Sequence, residues 1–151
     1  MPDFKSDWIF NVEEYELKIL EKLQIDFEEI SIFFCDDDFI KNLNKTYRDI
    51  DRETDILSFE NGEKYIDENE IERTIAGDII ISLETLPKNS SIFNVSQNEE
   101  LKRLLIHGTL HLNGMNHKDA LIEDGKESED SMLKLQESLL KGFSQINLIN
   151  A

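Results

Sequence analysis

His107, His111 and His117 are the whole histidine complement of this chain, and they fall within eleven consecutive residues. His107 and His111 stand four residues apart, which on a helix sets both imidazoles on one face, within reach of a single ion. Gly114 follows three residues later. Glycine ends helices in a left-handed conformation, and a turn there swings His117 back toward the same point. Three neutral imidazoles so arranged suit Zn²⁺, one ion per chain, and leave a fourth coordination position open. A metal held in this way polarises a phosphoryl or carbonyl oxygen and lowers the pKa of its water toward about 7. The plain alternative is three ordinary surface or core histidines, and their clustering argues against it. A closed structural site normally needs cysteines, and Cys35 is the only one in the chain.

The spacing matches the metzincin protease motif H-E-x-x-H-x-x-G-x-x-H, but the second position decides against that chemistry. Those enzymes place a glutamate there as general base, and this chain has Gly108. A glycine in mid-helix costs about 1 kcal/mol against alanine, so Gly108 points to a neighbour that needs the space. Three further segments narrow the reading: Leu43-Asn44-Lys45-Thr46-Tyr47-Arg48, Thr54-Asp55-Ile56-Leu57-Ser58-Phe59 and Ala76-Gly77-Asp78-Ile79-Ile80-Ile81. With H-G-x-L-H-L-x-G-x-x-H at 107–117, and in this order, they resemble the signature segments of the YbeY family of bacterial endoribonucleases. The likeness spans residues 28–140. It implies a zinc ion on His107, His111 and His117, and catalysis by Arg48 together with His107. It also implies single-stranded regions of ribosomal RNA and the small ribosomal subunit as partners, in ribosomal RNA maturation and ribosome quality control. Where the family commonly has Tyr-Asp before the third histidine, this chain has Met115-Asn116. Asn116 can only partly replace an aspartate that orients a ligand.

The residues give Arg48 a physical reason. Phosphodiester cleavage builds negative charge on phosphoryl oxygens, which a permanently charged guanidinium fork stabilises. Lys41, Lys45, Arg48 and Arg52 recur at helical spacing and would form one positive face for RNA, to which Arg103, one turn before His107, would add. The competing reading of this stripe is a solvated face that balances nearby acids. Asp78 is either a strand-end carboxylate paired with an arginine or the acceptor that orients a histidine ligand. Thr109 and Asn113 read as helix-surface residues. The general base is open between metal hydroxide, a substrate hydroxyl and a carboxylate. Two functions follow: a zinc-dependent, single-strand-specific endoribonuclease, or a non-catalytic metal-containing assembly factor that binds ribosomal RNA or a ribosomal protein.

The elements that must position these groups belong to one domain over residues 1–151, given roughly 150 residues per domain. Acidic residues number 33 against 16 basic ones, a formal charge of −17. Such a chain is unsuited to coating DNA or binding anionic membrane. The single cysteine, the lack of an 18-residue apolar run and the absence of a signal pattern point to the cytoplasm. The patterns predict a short strand at Phe4–Phe10, a helix over 12–24 and a strand at 30–35. A second helix follows, capped by Asp36-Asp37-Asp38, with Phe39, Ile40, Leu43 and Tyr47 inward. Two more strands, Thr54–Phe59 and a central Thr74–Ser82, flank a solvated, mobile acidic loop at 61–73. Leu83–Leu86 reads as a helical turn stopped by Pro87. Ser96 and Glu99 form a capping box for a helix to Asn113, with Leu101, Leu104, Leu105, Gly108 and Leu112 on its inner stripe. A last helix starts near Ser128. The sum is an α+β fold, with about four strands in a small mixed sheet and about five helices.

Overall fold

A computed structural model describes residues 7–114 and 125–149, the side chains of 125–130 excepted. Its centre is β3 (Glu72–Ser82), whose apolar run Ile79-Ile80-Ile81 is buried on both faces. β1 (Glu28–Cys35) lies parallel to it on one side and β2 (Ile56–Ile66) antiparallel on the other, giving the order β1-β3-β2. Among the described residues the sheet has three strands, not four. Residues 8–10, expected in a strand, open α1 (Trp8–Lys22). Val12, Tyr15 and Ile19 bury at helical spacing, and Trp8 continues that stripe onto the Phe34 ring, 4.7 Å away. Residues 4–6 of the expected strand lie outside the described residues.

One face of the sheet carries the main core. There α1, α4 (Gln97–Leu112) and α5 (Gly125–Gly142) pack Tyr15, Ile19, Leu101, Leu105 and Met132 against Ile79 and Ile81. The other face is covered by α2 (Asp37–Arg48), where Ile40 packs with Leu57 and Ile80. Asp36 caps α2 as expected, accepting from the Phe39 N–H at 2.8 Å. Its inner side differs from the reading above. Tyr47 is 65% exposed and Phe39 is exposed, whereas Asn44 is buried. Asn44 sits there because its amide donates to the Arg52 carbonyl at 2.9 Å, tying down the chain beyond the helix.

The acidic stretch 61–73 is also not a loop. Residues 61–66 complete β2 and 72–73 begin β3, and the pairs Tyr65–Arg73 and Ile66–Glu72 form a short two-stranded ribbon past the last pairing with β1 at Thr74. Only the turn 67–71 remains, closed by Asp67, which accepts from the backbone N–H groups of Asn69 and Ile71 and pairs with Arg73 at 2.6 Å. Likewise Leu83–Leu86 is not a lone turn: α3 (Thr85–Phe93) holds Pro87 in its first turn, where a missing N–H leaves no bond unmade.

Candidate metal and phosphoryl-transfer site

The site is built on α4. Ser96 caps the helix, its hydroxyl accepting from the Glu99 N–H at 3.0 Å. The leucine stripe then presses one face into the core. Gly108 lies on that face, and a Cβ there would stand 2.9 Å from Ile79 Cδ1 and 3.2 Å from Ile56 Cδ1. Glycine therefore lets α4 settle directly on β2 and β3, which is the neighbour its cost in helix stability implied. His107 and His111 are left half-buried beside the contact. Past them, Gly114 has φ +87° and its N–H donates to the His111 carbonyl at 3.1 Å, the left-handed conformation expected of a glycine at this helix end. His117 and Asn116 lie outside the described residues.

The two imidazoles turn their Nε2 atoms toward each other, 2.9 Å apart. Two imidazoles on one tetrahedral zinc, with Zn–N about 2.0–2.1 Å, hold their nitrogens about 3.3 Å apart, so a small ring rotation converts one arrangement into the other. The donor chemistry agrees. His107 Nδ1 lies 2.7 Å from Gln136 Oε1, and Gln136 Nε2 donates to Glu137 Oε2 at 3.2 Å. A Gln136 turned the other way would set its carbonyl against a carboxylate. Its oxygen therefore faces the imidazole, His107 Nδ1 carries the proton and Nε2 keeps its lone pair. These residues fit a zinc ion. Among the described residues no group of three ligands is complete, the third histidine being outside them.

Arg48 ends α2. Its Nη2 donates to the Ser58 carbonyl at 2.7 Å, and its guanidinium lies over the Phe59 ring, 5.2 Å from the centroid. It lines a cleft of about 630 Å³ with Asn44, Arg52, Asp55, Lys88 and Asn89, and neither described histidine is among the lining residues. The shared ground is β2: Gly108, next to His107, would meet Ile56, and Arg48 is bonded to Ser58 two residues further on. Lys41 and Lys45 are exposed, with Lys45 paired loosely to Asp51 at 3.9 Å.

Three assignments change. Arg103 is not an open cation for RNA, because Glu100 at 2.9 Å, Glu137 at 3.1 Å and Glu99 at 3.5 Å take up its guanidinium. Asp78 is exposed, and alternation along β3 turns it away from Ile79, hence away from α4 and the histidines. It makes no ion pair among the described residues, and Gln136 holds the histidine instead. Thr109, expected on the surface, is fully buried, with its hydroxyl 2.7 Å from both Glu16 Oε2 and the Leu105 carbonyl. Gln136 and Glu16 were missed. Gln136 left one trace, a polar residue one turn beyond Met132 on the buried stripe of α5.

A profile described as Endoribonuclease YbeY matches residues 5–144. This chain belongs to the YbeY family. A YbeY endoribonuclease of Treponema denticola is 50% identical over 137 residues, covering 91% of this chain and 84% of the relative. One of Borrelia hermsii is 40% identical over 126 residues, covering 83% and 79%. The solution structure of TM1509 from Thermotoga maritima superposes with a TM-score of 0.58 at 27% identity, over 95% of this chain and 89% of that one. No helix among the described residues is long and apolar enough to cross a membrane.

Proposed function

We propose that this chain is a zinc-dependent endoribonuclease that cuts single-stranded ribosomal RNA, in maturation and quality control of the small ribosomal subunit in the cytoplasm. The carrying observation is the pair of Nε2 atoms 2.9 Å apart, with one ring fixed from behind by Gln136, in a chain of the YbeY family. His107, His111 and His117 would hold the ion, which when bound supplies Lewis-acid polarisation of a phosphoryl oxygen. The other work falls to the chain's own residues. Arg48 is held at the end of α2 by the Ser58 carbonyl and the Phe59 ring, which restricts the fork to few orientations. From there it takes up charge that builds on the phosphoryl oxygens. Lys41 and Lys45 extend its positive charge along α2, and Arg52, which lies beyond the helix end and not on its stripe, adds to it from the same cleft, so that a chain of charge −17 engages RNA through a single groove.

The test is zinc content by elemental analysis together with cleavage of labelled single-stranded and duplex RNA. The purified chain should carry close to one zinc and cut the single strand, and His111→Ala should lose both properties. Arg48→Ala should keep its zinc and lose roughly 10²–10³ in rate, the scale of removing one preorganised donor. Arg48→Lys should also be impaired, since lysine keeps the charge without the fork. A chain that binds RNA with full affinity and never cuts it would instead be an assembly factor.

A further inference from the structure

We propose that Gln136 is a positioning residue for His107, and that Arg103 and Glu137 hold Gln136 in the orientation this requires. The inference rests on the metal-binding reading of His107 and His111. The observation is an unbroken chain of polar contacts between two helices. Arg103 on α4 reaches Glu137 on α5 through Nε at 3.1 Å and Nη2 at 3.2 Å, a two-point contact that fixes the carboxylate plane. Glu137 accepts from Gln136 Nε2 at 3.2 Å, and Gln136 Oε1 accepts from His107 Nδ1 at 2.7 Å. Gln136 is 5% exposed, so water does not readily stand in for its carbonyl. Arg103 and His107 are one turn apart on α4. The chain of contacts therefore leaves the helix at one and returns to it at the other, locking α5 at the depth where its amide meets the ring.

Each link has a direction. The guanidinium only donates, the carboxylate only accepts, and the amide converts an accepting neighbour into an accepting oxygen for the imidazole. His107 is thereby held as the Nδ1–H tautomer before any ion arrives. An imidazole free to choose would spend part of its time with the proton on Nε2, where a metal must bind.

The experiment compares wild type with Gln136→Met, which is close in shape but has no carbonyl, and Gln136→Glu, which keeps an acceptor. Zinc affinity is read by competition with a chromogenic chelator. The His107 tautomer in the metal-free chain is read by ¹⁵N NMR, and folding by thermal unfolding. Wild type should show Nδ1–H at His107. Gln136→Met should fold, show mixed tautomers and bind zinc about 10–100-fold more weakly. Gln136→Glu should recover most of the affinity. Arg103→Met should shift the tautomer populations in the same direction as Gln136→Met, by less. Unchanged tautomer and affinity in folded Gln136→Met would overturn the inference while leaving the zinc reading intact. If wild type binds no zinc, the reading beneath it fails, and the tautomer of the metal-free chain still decides whether Gln136 orders the ring.

Discussion

Glu16 lies between α1 and α4 with Oε2 on the Thr109 hydroxyl and no partner for Oε1 among the described residues. Burial drives its pKa up to about 7. The Thr109 hydroxyl, shared with the Leu105 carbonyl 2.7 Å away, donates to Oε2 and offsets only part of that rise. The native chain then holds the Glu16 proton more tightly than the unfolded one. The stabilising effect is complete below about pH 4.5 and is lost as the pH rises to about 7. Between pH 5 and 8, wild type should lose roughly 2–3 kcal/mol relative to Glu16→Gln, at about 1.4 kcal/mol per pKa unit. Urea unfolding of both proteins at the two pH values reads this directly, and parallel profiles would refute a protonated Glu16. Gly114 offers a second test at this scale. A Cβ there would touch nothing within 4 Å, so Gly114→Val acts only through its φ of +87°. Zinc affinity should fall although no ligand has changed, because a β-branched residue resists that φ. Unchanged affinity would mean that His117 does not depend on the turn.

Among the elements, α4 carries both the core and the site, so its cap and its packing are felt at both. Ser96→Ala should cost about 1 kcal/mol, the usual worth of such a cap, measured by urea unfolding. Gly108→Val should cost more, roughly 3 kcal/mol, because its side chain would drive into Ile79 and Ile56 within a filled interior. It should also weaken zinc binding, since α4 can relieve the clash only by lifting off the sheet. α4 could be read from sequence because its apolar spacing, capping box and terminal glycine all agree. The outer half of β2 could not, since residues 61–66 are exposed on both faces and no alternation marks them, whereas β3 is legible from Thr74 onward. Pro87 reads as a stop in sequence because proline is tolerated beyond a last turn as well as in a first one, and α3 uses the second. In the site, the histidine pair was legible because it is local. The partners of Arg103 and His107 on α5 were not, being set by how two helices pack, some thirty residues apart in sequence.

Taken whole, the molecule is an acidic body with a local group of cations along α2 and the adjoining cleft. Lys41, Lys45, Arg48 and Arg52 are at most four phosphate contacts. A plot of log affinity for single-stranded RNA against log salt should therefore have a slope no steeper than about −3, at about −0.7 per contact. Fluorescence anisotropy across a potassium chloride series gives this slope, and a much steeper one would require another RNA surface. The ribbon formed by β2 and β3 has a different consequence. Among the described residues it leaves the outer edge of β2 without a neighbouring strand, a backbone template on which another copy could pair. Glu60, Glu63, Glu70 and Glu72 are exposed along this ribbon, and their repulsion keeps two such edges apart. That protection is the charge itself. With all four glutamates replaced by glutamine, copies should begin to join edge to edge, seen as rising light scattering while each chain is still folded.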